Sequence, residues 1–326
     1  MYVKNKRFKK DERIHNWKEV TKRRMDYITF LLKKDIPYDF EQQAVKEYQN
    51  CQKQRSYTNP VELRKISRKV TSENSCIISR IAVSVTNQCS LKCRDCNNLM
   101  PYCKERFIIG VDEQIQDIKK ILTYADEIIN VEIIGGEPFV YKQLPKLLEY
   151  VCKETRIRFV EITTNGTILP CREVIDLLTN PKICVLISDY GEVNTERSKK
   201  TYEYLLQNHV CVRYLNNTKW IMPGGIENRN KSRIKMKYEY FHCFARKDCR
   251  TLYKGKLYVC GRAPILDELG LLTDKSCYLD IRNMMIKKMV GKRKLQRFYQ
   301  NSYAECCNYC DCASDKACWI KAGVQK

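Results

Sequence analysis

A chain of 326 residues, 44% hydrophobic and 30% charged with only 12 glycines and 9 prolines, has the length of one large α/β barrel with an appendage or of two ordinary domains. Its composition excludes a disordered, collagen-like or low-complexity protein. The net charge of +22 is concentrated in residues 1–34, 227–256 and 282–297, stretches that either attract phosphates, nucleic acid or an acidic substrate or are solvated lysine-rich surface. No apolar run approaches the ~18 residues that span a bilayer. The N-terminus MYVKNKRFKKDER has charge with no hydrophobic stretch behind it, so a cytoplasmic protein with no membrane span is expected.

In chain order, residues 1–75 read as a helical, basic region, with Tyr27, Phe30 and Leu31 spaced on one helix face and Pro37 and Pro60 as breaks. The texture then changes to alternating strands and helices. A β-rich run at 81–86 precedes a long loop and an amphipathic helix carrying Val111, Ile115, Ile118, Leu122 and Ala125. A strand at 128–134 ends in Gly135-Gly136, and its partner helix carries Leu144, Leu147, Leu148 and Val151. The alternation continues with strands at 157–163, 183–188 and 210–214 and helices near 172–178 and 196–206. This pattern predicts a parallel sheet or barrel of βα units, whose functional groups stand at the C-terminal ends of the strands. Beyond Trp220 the period is lost. Pro223-Gly224-Gly225 reads as a turn, followed by a basic stretch, a short strand at 256–259, a helix over 280–290 and a cysteine-dense tail. The expected units are therefore 1–75, a core at 76–220 and a smaller part at 221–326.

In a reducing compartment the 19 cysteines are not a disulfide framework, and metal is the expected use of the clustered ones. Cys51, Cys76, Cys152, Cys171, Cys184 and Cys211 are scattered singly and read as small hydrophobes. Cys89, Cys93 and Cys96 form C-x3-C-x2-C directly after the first strand. Three thiolates at this spacing suit three irons of a 4Fe–4S cluster and leave the fourth iron open. A zinc knuckle with Cys103 as fourth ligand is the alternative. Chemistry through the three histidines, His15, His209 and His242, has little support, and no Walker loop or Rossmann GxGxxG is present.

The later strands supply more in register. Gly135-Gly136-Glu137-Pro138 closes the second, Thr163-Thr164-Asn165-Gly166-Thr167 the third, and Ser188-Asp189-Tyr190-Gly191 the fourth. With the cysteine loop, this order resembles the radical S-adenosylmethionine (radical SAM) enzymes over about residues 79–215, with Asp95 departing from the aromatic common before the third cysteine. The resemblance implies an α/β fold, a partial (β/α)6 barrel. It implies a 4Fe–4S cluster on Cys89, Cys93 and Cys96 and SAM held near Gly135, Gly136, Glu137, Pro138, Thr164, Asn165 and Ser188. It implies reductive cleavage of SAM to a 5′-deoxyadenosyl radical that abstracts a hydrogen atom from substrate.

A second constellation, Cys243, Cys249, Cys260, Cys306, Cys307, Cys310, Cys312 and Cys318, looks like the SPASM and twitch extensions of the same family. That likeness implies a small C-terminal domain with one auxiliary 4Fe–4S cluster on Cys243, Cys260, Cys307 and Cys310, the first two flanking a hairpin turned at Gly255. Cys249, Cys306, Cys312 and Cys318 are reserves, Cys277 is unassigned, and a zinc ribbon is the alternative. The expected activity is oxidation of an alcohol on a sugar, cyclitol or glycan precursor, phosphorylated or nucleotide-linked forms included, with flavodoxin or ferredoxin as reductant. The alternatives are maturation of a ribosomally made peptide and a non-enzymatic iron–sulfur or zinc protein binding nucleic acid. Nucleic acid is not the expected partner.

Overall fold

The structure is a computed structural model that describes residues 76–103, 105–243 and 250–326. The expected helical region 1–75, with Cys51 and His15, lies outside the described residues, as does Cys249. No helix among the described residues is long and apolar enough to cross a membrane.

Strand β1 (Ile77–Ser84) is followed by α1 (Val111–Tyr124), β2 (Glu127–Ile134), α2 (Leu144–Lys153), β3 (Ile157–Thr164), α3 (Arg172–Leu178), β4 (Ile183–Asp189), α4 (Thr195–Gln207) and β5 (Val212–Asn216). Strands β1 to β5 pair in parallel as consecutive neighbours, as right-handed βα crossovers dictate. The architecture is the mixed α/β, partial-barrel arrangement expected of the alternating pattern. Six consecutive residues of β2 are buried, because a parallel strand covered on both faces must be apolar or paired on both.

The two faces have different chemistry. Val131, Ile133, Val160, Ile162, Val185 and Ile187 join Ile118, Ile121, Leu144, Leu147 and Leu148 of the covering helices in one apolar cluster; each such fully buried side chain contributes about 2 kcal/mol. The alternate residues face the barrel interior, where Ala82, Glu132, Glu161 and Cys184 stand in register. There Arg80 pairs with Glu132, and Arg213 lies 3.3 Å from Glu161. The C-terminal carbonyls of α2 are satisfied by a buried lysine: Lys182 Nζ donates to Val151 O and Glu154 O, both at 2.7 Å.

After β6 (Lys219–Ile221) and α5 (Arg233–His242), the strands β7 (Thr251–Tyr253), β8 (Lys256–Tyr258) and β9 (Tyr278–Asp280) extend the same sheet. β7 lies parallel to β1 on the edge opposite β2, and β8 and β9 follow antiparallel, giving the order β5-β4-β3-β2-β1-β7-β8-β9. The β7–β8 turn places both Lys254 and Gly255 at positive φ, the two-residue form that matches strand twist. Helix α6 (Ala263–Glu268) follows β8.

The expected helix at 280–290 is not formed. β9 runs to Asp280, whose carboxylate accepts from Asn283 N and Nδ2 in a turn, and α7 spans Lys288–Tyr299. Arg282 is drawn away to Asp117 of α1, at 2.7 Å. Finally β10 (Trp319–Lys321) returns to pair antiparallel with β6.

Candidate functional site

The loop after β1 begins with a self-locking turn. Thr86 Oγ1 donates to Phe107 O at 2.8 Å and accepts from Gln88 N at 3.0 Å, and Asn87 exchanges side-chain hydrogen bonds with Glu105 O and Phe107 N. The cysteines therefore stand on a long excursion whose two ends are pinned together. The turn after β2 docks onto it: Gly136 N donates to Thr86 O at 2.6 Å and Glu137 N to Gln88 O at 2.8 Å. A Cβ on Gly135 would lie 2.4 Å from Thr86 O, and one on Gly136 2.2 Å from Gln88 O. The close approach that requires these glycines is to the chain's own backbone.

Glu137 is fully buried. Its carboxylate accepts from Thr164 Oγ1 at 2.7 Å, Asn165 N at 2.9 Å and Phe139 N at 3.1 Å. It thus ties the ends of β2 and β3 together, while Pro138 opens a short 3-10 turn beside it. Burial pushes the Glu137 carboxyl up to about 7, against these donors.

Asn165 reaches the cysteine loop, its Nδ2 lying 3.5 Å from Cys89 Sγ and 3.1 Å from Ser90 Oγ. Gly166, at φ +69°, leaves no room for a Cβ, which would meet Ile187 and Ser198 within 3 Å. The end of β4 is tied in by Asn194, whose Nδ2 donates to Asn165 O at 2.6 Å and Ser188 O at 2.9 Å. Ser188 is buried and near Tyr190, whose phenol lies close enough to Cys93, Cys96 and Glu137 to sense their charge. The adjoining Asp189 is occupied by Thr195 and Tyr214. The structure therefore brings Cys89, Cys93, Cys96, Gly135, Gly136, Glu137, Pro138, Thr164, Asn165 and Ser188 to one end of the sheet.

Burial raises all three loop thiols, Cys89 to about 11. They are close enough to oppose one another's ionisation, so metal ligation would have to displace protons from them.

In the second set, Cys260 Sγ lies 3.9 Å from Cys306 Sγ, and Cys306 N donates to Cys277 Sγ at 3.1 Å. Cys306 also contacts the Cys307 thiol, and Cys310 pairs with Cys312, which senses Cys243. Hydrogen bonds from Cys306 and Cys312 hold the Cys260 and Cys310 thiols below their ordinary range. The four expected ligands thus lie in one neighbourhood that also contains Cys306, Cys312 and Cys277, while Cys318 is exposed.

Two buried cations support this set, and neither was singled out from the sequence. Lys231 Nζ donates to Cys310 O at 2.5 Å, Cys307 O at 3.1 Å and Glu239 at 2.7 Å. Arg262 Nη2 donates to the carbonyls of Gly224, Gly225 and Tyr309. Its Nε and Nη1 are buried without a hydrogen-bond partner among the described residues, and its charge is felt by Cys96 on one side and by Cys310 and Cys312 on the other. Orphaned cationic donors whose charge reaches thiols of both sets fit the negative charge and sulfur acceptors of iron–sulfur clusters, or a ligand anion. Among the described residues no three His, Cys, Asp or Glu side chains converge as one metal ion requires.

Residues 83–188 match the family described as the radical SAM superfamily. A GTP 3′,8-cyclase of Syntrophomonas wolfei is 31% identical over 100 residues, which cover 28% of this chain and 28% of that protein. The antilisterial bacteriocin subtilosin biosynthesis protein AlbA of Bacillus subtilis is 30% identical over 115 residues, covering 34% of this chain and 24% of its own. These matches span less than a third of the relatives' own length. The structure of BtrN in complex with AdoMet and 2-DOIA aligns with a TM-score of 0.43 at 16% identity, covering 73% of this chain and 94% of that one. That of anSMEcpe with bound AdoMet and a peptide aligns at 0.45 and 15%, covering 74% and 89%.

Proposed function

We propose, from the match of residues 83–188 to the radical SAM superfamily, that this chain is a radical SAM enzyme holding a 4Fe–4S cluster on Cys89, Cys93 and Cys96 with SAM beside it. The proposal includes an auxiliary 4Fe–4S cluster on Cys243, Cys260, Cys307 and Cys310, with Cys306 and Cys312 lying against two of those thiols. When bound, the reduced cluster and SAM supply a 5′-deoxyadenosyl radical able to take a hydrogen atom from substrate. The observation that carries the reading is the pair of thiol sets, each with its cysteines brought together, and the buried Arg262 whose charge reaches thiols of both.

The chain's own residues act by position. Asn165 and the Gly135-Gly136-Glu137 turn hold the cysteine loop against the strand ends, and Tyr190 packs edge-on to Trp220 at 5.0 Å, limiting access of water from that side. Arg262 offers its unpartnered Nε and Nη1 to an anionic group. For the reaction we favour oxidation of a secondary alcohol of a sugar, cyclitol or glycan precursor. Conversion of the substrate radical to the ketone would release a proton and one electron, and an oxidised 4Fe–4S cluster held by the C-terminal cysteines would supply the one-electron acceptor. The basic stretches at 227–256 and 282–297 suit a phosphate or nucleotide handle on such a substrate. A flavodoxin or ferredoxin would supply the first electron. Peptide maturation is the second reading, favoured by the similarity to AlbA over 115 residues.

The deciding experiment is anaerobic iron and sulfide analysis with electron paramagnetic resonance of the reduced protein, with and without SAM. About eight irons per chain and a SAM-perturbed signal are expected. Alanine at Cys89, Cys93 and Cys96 together should abolish 5′-deoxyadenosine formation, whereas alanine at Cys307 and Cys310 should leave the SAM-perturbed signal. Deoxyadenosine formation by the triple variant would refute the proposal, and screening alcohols against peptides separates the two substrate readings.

A further inference from the structure

The cysteine loop has little regular structure of its own; residues 87–99 contain only bends, turns and an isolated bridge. Its backbone groups must find partners elsewhere, and several of those partners come from the far end of the sequence. After β10, Ala322 N donates to Thr218 O at 2.9 Å, and the chain passes Gly323 at φ +66°, where a Cβ would lie 2.9 Å from Tyr190 Cβ. It then runs antiparallel to the loop: Arg94 N donates to Val324 O at 2.7 Å and Lys326 N to Lys92 O at 2.9 Å, with Cys93 and Gln325 as bridge partners. The Gln325 side chain uses both ends. Its Oε1 accepts from Lys92 N at 2.6 Å, and its Nε2 donates to Gly323 O and lies 3.4 Å from Cys93 Sγ. An exposed glutamine is thereby locked against the middle cysteine of the motif.

We infer that Gln325 is a positioning residue for the SAM-binding cluster, donating an N–H···S hydrogen bond to Cys93 and raising the cluster's reduction potential. The inference rests on the reading of Cys93 as a cluster ligand. Reduction adds charge that is shared with the ligand sulfurs, so a donor to one of them stabilises the reduced state more than the oxidised one. The 322–326 segment supplies the rigidity that keeps this donor in place, and it links the loop to β10 and hence to the part of the chain bearing the second cysteine set.

The test is a potentiometric titration of the reconstituted holoprotein followed by electron paramagnetic resonance, on wild type, Gln325→Leu and Gln325→Glu. Glutamate keeps the acceptor for Lys92 N but replaces the donor to sulfur with an anionic oxygen. Both variants should retain wild-type iron content and show a midpoint displaced to more negative potential, further for glutamate, so that the reduced fraction at a fixed potential falls severalfold. If the leucine variant loses iron, the glutamate variant decides. A third variant, Gly323→Val, displaces the segment through Tyr190 and should accelerate iron loss to a chelator. An unchanged midpoint in the iron-replete glutamate variant would overturn the inference while leaving the cluster assignment intact. Absence of any SAM-perturbed cluster signal in wild type would instead overturn the ligand reading of Cys93, and this inference with it.

Discussion

At the scale of single residues, Glu137 does work that its motif does not disclose. The resemblance puts Glu137 among the residues near SAM, yet here its oxygens are taken by Phe139, Thr164 and Asn165. Because burial raises its pKa from 4.5 to about 7, the native state binds this proton more tightly than the unfolded chain does. Stability from this group is therefore complete at low pH and lost as pH rises from about 4.5 through 7. Urea melts of apo wild type and Glu137→Gln should show this slope in wild type only, worth about 3 kcal/mol across the window. Identical pH profiles for the two proteins would mean that Glu137 is not the titrating group. Arg262 makes the complementary point. A residue two positions after a cysteine in CGRA carries no signal of burial, and only packing shows that two of its donors lack partners.

At the scale of elements, the βα period was legible because a buried parallel strand and an amphipathic helix have different apolar periods, 2.0 and 3.6 residues. The strands and helices from 77 to 216 accordingly fall close to where the pattern puts them. The helix expected at 280–290 failed for a non-local reason, since Arg282 is engaged by Asp117, 165 positions away. The helix that does form, α7, touches α1 through Gly291, where a Cβ would sit 2.1 Å from the Tyr124 ring. Tyr124 is buried and its hydroxyl bonds to Met284 O, so the ring has little freedom to yield. Gly291→Ala should therefore lower stability by about 1–3 kcal/mol despite alanine's better helix propensity. Thermal melts test this, and a raised Tm would show that the α1–α7 contact adapts freely.

At the scale of the whole molecule, one eight-stranded sheet carries both cysteine-bearing regions. β7, contributed by the C-terminal part, hydrogen-bonds to β1, and Ala82 N donates to Arg250 O at 2.7 Å. Strands sharing a ladder should open together, so amide hydrogen exchange in β7 should be as slow as in β1 and β2, within about tenfold. Much faster exchange in β7 would show that the C-terminal part opens independently. The sequence by itself determined the alternating α/β core, the order of motifs that resembles the radical SAM enzymes and the two groups of thiols, because periodicity, motif order and cysteine spacing are local properties that a linear chain displays. Tertiary structure alone decided which thiols become neighbours, that Arg262 is buried with two unpartnered donors, that β7 completes the edge of β1, and that Gln325 meets Cys93 across 232 positions. Each of these depends on long-range pairing of backbone donors and acceptors and on the burial of charge, which no short stretch of sequence contains.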